Sequence, residues 1–264
     1  MSKSTELSLK RIAIAFTDGD AEFHTLEEIT KLAAKAQARM SGVFIEDSEM
    51  LRAAQLPFAR EVCQITNTIR PADVSTIERH LKQHADTARS KIAELAKRSG
   101  TQWTFEVVRK NRASAVLELA KGTDLTYFAT RSTLRQSAVS GRAGIERISQ
   151  SYPIVLIVDR SDAGRRATQL ARQLAHETGV PIVAVIDAAT DADAEQLTER
   201  LVEHEHFDLS SIRRLNHPSF AELIKTTQHF WPSAVVLPVS LIEDSPQNIE
   251  ELEQQANHAT VIVK

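Results

Sequence analysis

Two short apolar runs constrain this chain more than anything else in it. Lys10–Phe16 (KRIAIAF) and Ile154–Val158 (IVLIV) are both rich in aliphatic and β-branched residues, and an aspartate follows each. After the first run, Asp18-Gly19-Asp20 marks a turn. Leu26, Ile29, Leu32, Ala33 and Ala36 then recur at helical spacing over His24–Ala38, and Gly42–Ile45 reads as the next strand. After the second run the order returns: Asp159-Arg160-Ser161, a helical stripe through Leu170, Leu174 and Ala175, the turn Gly179-Val180-Pro181, and the strand Ile182–Ile186. A shift of 141 residues lays Asp18 on Asp159 and Glu46 on Asp187. A shift of 105 lays Asn111-Arg112-Ala113-Ser114 on Asn216-His217-Pro218-Ser219, each ahead of a helix. The two shifts differ by 36, so the first copy carries about that many extra residues between its second and third strands. Self-similarity of this kind means two related units.

The rest of the chain keeps the alternation. Strands are expected at Trp103–Val108, Leu125–Thr130, Pro153–Val158, Ser210–Leu215, Ala234–Val239 and Thr260–Val263. Helices are expected at Ser114–Ala120, Ile145–Ser149, Phe220–Phe230 and Asn248–Ala256. Strand and helix in turn at this spacing build parallel sheets covered on both faces. The expectation is therefore α/β, with two tandem open parallel-sheet units. Residues 1–150 form the first, enlarged over 47–101, and 151–264 form a smaller second. The strands number nine rather than ten, and Ile154–Val158 goes to the second unit because the residues after it repeat the ending of the first strand.

The inserted segment has two parts. Met50–Thr66 is apolar-rich and broken at Pro57, a surface for a protein partner or an apolar ligand. Ala72–Ser99 reads as one long helix between Pro71 and Gly100, with Val74, Ile77, Leu81, Ala88, Ile92 and Leu95 on one stripe and His84 within it, a core or rim histidine. Cys63 is the lone cysteine, which excludes an intramolecular disulfide and a cysteine-based zinc site and reads as a buried thiol.

Charge and composition narrow the function. Residues 151–264 hold nine basic and seventeen acidic side chains, a net of −8, and residues 1–150 hold 23 and 18, a net of +5. Such halves can attract one another. No compact basic stripe with interleaved aromatics occurs, which argues against nucleic acid as a partner. The longest apolar runs fall far short of the ~20 residues of a spanning helix. Met1–Lys10 lacks a secretory pattern, so the cytoplasm is expected. Glu203-His204-Glu205-His206 resembles a metal cluster on paper, but helical residues two apart point to different faces, so no metal site is expected. No Walker loop, Gly-x-Ser-x-Gly elbow, His-Glu-x-x-His or Gly-x-Gly-x-x-Gly is present. Eight glycines in 264 residues are few for loops that wrap phosphates. Asp18, Glu46, Asp159 and Asp187 fall where strands end, positions from which a carboxylate can hold a ligand or cap a helix.

Order and spacing over nearly the whole chain resemble the universal stress protein family in tandem form. Asp18-Gly19-Asp20 and Asp159-Arg160-Ser161 stand where that family has Asp-Gly-Ser, and Thr123–Ala129 resembles its fourth-strand pattern. The resemblance implies Rossmann-like sheets of strand order 3-2-1-4-5, paired units or a homodimer, and in some members ATP binding by a glycine-rich loop. In this chain the early glycines of that loop are replaced by Ala129 and Ser132, while Gly141 and Gly144 survive around Arg142. The ligand site implied is Asp18, Gly19, Ala129, Arg131, Ser132, Ser140, Gly141, Arg142 and Gly144. The matching stretch of the second unit, Pro238–Asp244, has no glycine and two carboxylates. The function implied is a non-enzymatic, stress-tolerance role through ligand or partner binding without the usual ATP site. The alternatives are an ATP- or AMP-binding regulator with one working site and, more weakly, a nucleotide hydrolase.

Overall fold

Arg11–Phe16 (β1) is buried from Ile12 onward, as a strand covered on both faces must be. The computed structural model describes residues 8–17, 23–62, 68–129, 152–216, 218–255 and 258–264. In the first half β1 is followed by α1 (Phe23–Lys35), β2 (Arg39–Asp47), α2 (Ser48–Ala54), the short strands β3 (Arg60–Val62) and β4 (Ile69–Pro71), α3 (Val74–Ser99), β5 (Trp103–Lys110), α4 (Arg112–Gly122) and β6 (Leu125–Ala129). The second half runs β7 (Ile154–Val158), α5 (Asp162–Thr178), β8 (Ile182–Ala188), α6 (Asp191–Glu199), β9 (Ile212–Asn216), α7 (Phe220–Gln228), β10 (Ala234–Pro238), α8 (Pro246–Gln255) and β11 (Ala259–Val263).

Nine of these strands form a single sheet in the order β5-β2-β1-β6-β11-β10-β7-β8-β9. The second half follows 3-2-1-4-5, and the first supplies 3-2-1-4. β7 lies between β8 and β10, which places Ile154–Val158 with the second half. All neighbours run parallel except at the centre, where β11 meets β6 antiparallel with Leu125 opposite Val263 and Ala129 opposite Ala259. On its other side β11 runs parallel to β10, Ala234 opposite Ala259. The last strand of the second half therefore joins the two halves.

Both faces of the sheet are packed across that seam. One face buries Leu26 and Ile29 of α1, Leu81 and Ile92 of α3, Leu170 and Leu174 of α5 and Leu197 of α6 over Ile14, Tyr127, Leu156 and Val261. The other buries Val116 of α4, Leu223 and Ile224 of α7, and Ile249 and Leu252 of α8 over Ala15, Phe128, Val155 and Ile262. Lys35 and Glu177 form an ion pair between the halves at 3.4 Å, but Lys35 is largely exposed, and such pairs contribute about 0–1 kcal/mol. Apolar burial and the shared strand, more than charge, hold the halves together. At the seam Lys264 N–H donates to the Asp124 carbonyl at 3.0 Å, and the Asp124 carboxylate accepts from the Lys10 and Arg11 amides at 2.7 and 2.9 Å.

Local chemistry moves several element boundaries. α3 begins at Val74 because Asp73 caps it, accepting from Ser75 N–H at 3.1 Å, while Pro71 belongs to β4. Gly100, at φ 69°, ends the helix in the left-handed conformation. His84 is exposed, contrary to its expected place in the stripe. Leu81, Ala85, Ala88 and Ile92 form the buried edge, so Ala85 takes the position that the alternating spacing gave to His84. The third strand of the second half starts at Ile212, after a 3-10 turn at Leu209–Ser211. The match of Asn111 to Asn216 also breaks at the helices: Asn111 caps α4, whereas Asn216 ends β9 and Ser219 caps α7 through a capping box with Glu222. Pro218 explains the delay, since the residue before a proline is disfavoured in helix. α3 lies so close over β2 that a Cβ on Gly42 would meet Ile92 Cδ1 at 2.2 Å.

Candidate functional site

In an open α/β sheet, ligands bind beyond the carboxyl ends of the strands, where successive connections diverge to opposite sides. This sheet has two such points, between β1 and β6 and between β7 and β10. At the first, the implied ligand residues Asp18, Gly19, Arg131, Ser132, Ser140, Gly141, Arg142 and Gly144 lie outside the described residues, as do Cys63 and the expected helix at 145–149. Ala129 is placed: it is the last residue of β6, opposite Ala259.

The second point is described in full. β7 ends at Val158, and Asp159, Arg160 and Ser161 carry the chain into α5. Ser161 caps that helix, its Oγ accepting from Gly164 N–H at 2.9 Å. Asp159 Oδ1 accepts from Ser161 N–H at 3.0 Å and from Ser161 Oγ at 2.6 Å. Across the divergence, Ser240 Oγ donates to Asp159 Oδ2 and lies 3.0 Å from Ser161 Oγ. Ser240 is fixed by the 3-10 turn Val239–Leu241, by the buried side chain of Ile242, and by Asn248 Nδ2, which donates to the Leu241 carbonyl at 2.6 Å. Gly164 is required here, since a Cβ would stand 2.1 Å from Asp159 Oδ1 and 2.9 Å from the Asp159 carbonyl oxygen. Both oxygens of Asp159 are thus engaged within the chain. Of the two roles open to this carboxylate, structural support of a helix start is the one observed.

The flanking charges differ between halves. Glu46, at the end of β2, pairs with Arg109 of β5 at 2.9 Å. Its counterpart Asp187, at the end of β8, is half-buried and faces Asp159. Burial, and then the neighbouring carboxylate, push its pKa above the ordinary value. Arg160, which stands where the first copy has Gly19, reaches sideways to Asp193 and donates to Gln196 Oε1 at 3.0 Å. Arg200 is partly buried, and burial lowers its guanidinium pKa against the pull of Glu205. Glu203-His204-Glu205-His206 does not converge: Arg172 holds Glu205 at 2.6 Å, and His206 turns to φ 56°. No group of three metal-ligating side chains occurs among the described residues.

Elsewhere, Leu56, Phe58, Val62 and Ile69 are exposed around β3 and β4. An open groove of about 140 Å³ between α1 and α3 is lined by Glu27, Thr30, Lys31, Leu95, Arg98 and Ser99, with Arg98 paired to Glu27 at 2.9 Å. No described helix is long and apolar enough to cross a membrane. The residue that sequence reasoning missed is Ser240. Its place two residues beyond the end of β10, across from the start of α5, is the signal that marks it.

The fold is a doubly wound α/β sheet. No protein-family model matches the chain, and no curated protein matches its sequence. Among solved structures it is similar to a universal stress protein from Archaeoglobus fulgidus DSM 4304, at 10% identity over 96% of each chain with a TM-score of 0.48. It is similar to a functionally unknown protein from Pseudomonas aeruginosa PAO1, at 10% identity over 98% of this chain and 93% of that one, TM-score 0.49. It is also similar to the cytoplasmic domain of a prokaryotic cation chloride cotransporter, at 8% identity, 96% and 95% coverage, TM-score 0.40.

Proposed function

We propose that this chain is a tandem protein of the universal stress type that acts in stress tolerance by binding and assembly rather than by catalysis. The observation that carries the reading is the Asp159–Ser161–Ser240 cluster, which fills the divergence of β7 and β10 with the chain's own hydrogen bonds. A crevice closed in this way commits the Asp159 oxygens, both serine hydroxyls and the Gly164 amide to partners within the chain rather than to a phosphate. The second half then serves as a structural partner, joined through β11 as a second chain would be in a paired assembly. Ligand binding is left to the first half, around Asp18, Gly19, Ala129 to Ser132 and Ser140 to Gly144, where the arginines suit an anion and the lost glycines count against ATP.

Calorimetric titration of the full chain with ATP, ADP and AMP, with and without magnesium, tests this. The reading expects no heat from ATP at micromolar concentrations. Micromolar binding at one site per chain replaces it with a nucleotide-binding regulator, and binding at two sites refutes the closed second crevice. Steady release of phosphate from ATP with magnesium overturns the non-catalytic reading.

A further inference from the structure

His258 stands immediately before β11, at the seam between the halves, and only 3% of its surface reaches solvent. Among the described residues neither ring nitrogen has a hydrogen-bond partner. Thr260, two residues along and so on the same face of the strand, is fully buried, and its hydroxyl is unpartnered too. Buried polar groups are nearly always satisfied, so two orphans side by side on one strand single out this point. Ala259, between them, pairs with Ala129 on one side and Ala234 on the other.

Among the described residues, no acidic side chain is at hand to stabilise a protonated ring. The adjoining strands β6 (LTYFA) and β10 (AVVLP) carry no ionisable group other than the Tyr127 phenol. The helices over that face bear Arg112, Glu118 and Lys121 on α4, Glu222 and Lys225 on α7, and Glu250 and Glu251 on α8. On the opposite face, α5 bears Asp162, Arg165, Arg166, Arg172, His176 and Glu177. None of these acts on His258: burial alone lowers its pKa, to about 4, and only the backbone of His258 and Ala259 opposes the shift. Among the described residues an imidazolium at this position meets only the backbone of His258 and Ala259, too little to offset its burial, and moving the ring to water relieves it.

We propose that the β6–β11 seam is an acid-sensitive latch, released when His258 takes up a proton and the start of β11 parts from Ala129 and Ala234. The sign follows from linkage. A histidine kept neutral in the fold contributes stability above its unfolded pKa of about 6.5, and that contribution is lost as pH falls from there towards 4. Between pH 7 and pH 5 the ratio of open to closed seam rises roughly twenty-fold if opening brings the ring to solvent.

Hydrogen–deuterium exchange of the full chain tests the latch, with rates corrected for the intrinsic pH dependence of exchange. Amides of 125–129 and 259–263 are expected to lose protection by that factor between pH 7 and pH 5, while β2 and β8 keep theirs. In the His258→Phe variant, which keeps the volume and cannot titrate, the pH dependence of the seam disappears; His258→Gln is the second variant if His258→Phe does not fold. Unchanged protection of the wild-type seam, or equal loss in the non-titrating variant, overturns the proposal. Uniform loss across all strands overturns it as well, since the acid response then belongs to the whole fold.

Discussion

Replacement of Ser240 by alanine tests the closed crevice directly. The serine hydroxyl donates to Asp159 Oδ2 and lies 3.0 Å from Ser161 Oγ, so the change removes one charge-assisted bond and loosens a second. A hydrogen bond to a charged group is worth about 1.5–3 kcal/mol, and the partial exposure of this cluster argues for the lower end, about 1.5 kcal/mol. For a domain of this size, that lowers the melting temperature by roughly 3–6 °C. The assay is urea denaturation followed by circular dichroism, with Ser240→Ala, Asp159→Ala and the double variant forming a cycle. Because the two residues share the bond, the double variant should lose less than the sum of the singles, with a coupling of about 0.5 kcal/mol or more. Strict additivity, or a loss of less than about 0.5 kcal/mol for Ser240→Ala, would mean that these bonds do not close the crevice and would remove the main support for a structural second half.

Asp159→Asn removes the carboxylate that helps raise Asp187, so the Asp187 pKa should fall towards its ordinary value in a carbon-13 NMR titration; an unchanged midpoint would assign the whole effect to burial. Gly42→Val drives a side chain into Ile92 and Phe105 and should cost about 1–3 kcal/mol in chemical denaturation. Gly179→Ala must adopt φ 70°, and should destabilise by about 1 kcal/mol although nothing stands within 4 Å of the new methyl. Glu177→Gln breaks the ion pair with Lys35 and should change stability by less than about 1 kcal/mol, an effect that added salt reduces further.

Much of this fold is written in local pattern. The buried runs of β1 and β7 and the stripe of α5 closed by Gly179 are short-range signals, and each produced the expected element. The fusion into one sheet is a different kind of fact. The pairing of Leu125 with Val263 joins residues far apart in the chain, and an apolar strand such as ATVIV pairs equally well parallel or antiparallel. Caps were legible only in part: Asn111 behaves as its sequence suggests, whereas Pro218 moves the cap of α7 to Ser219. At the second crevice the repeat marks Asp159 and Asp187, whereas Ser240 lies in Pro238–Asp244, which lacks the glycines of the matching first-unit loop, so the repeat gives it no role. His84 went astray because a stripe of alternating three- and four-residue steps offers two neighbours for one buried position, and the smaller Ala85 takes it.

The antiparallel junction has a geometric consequence for any ligand. β1 and β6 run opposite to β7 and β10, so the carboxyl ends of the two halves open on opposite rims of the one sheet. A molecule seated at the β1–β6 divergence cannot also touch Asp159 or Ser240. Any influence of one rim on the other has to travel lengthwise through the strands, and β11, hydrogen-bonded to both halves, is the shortest route.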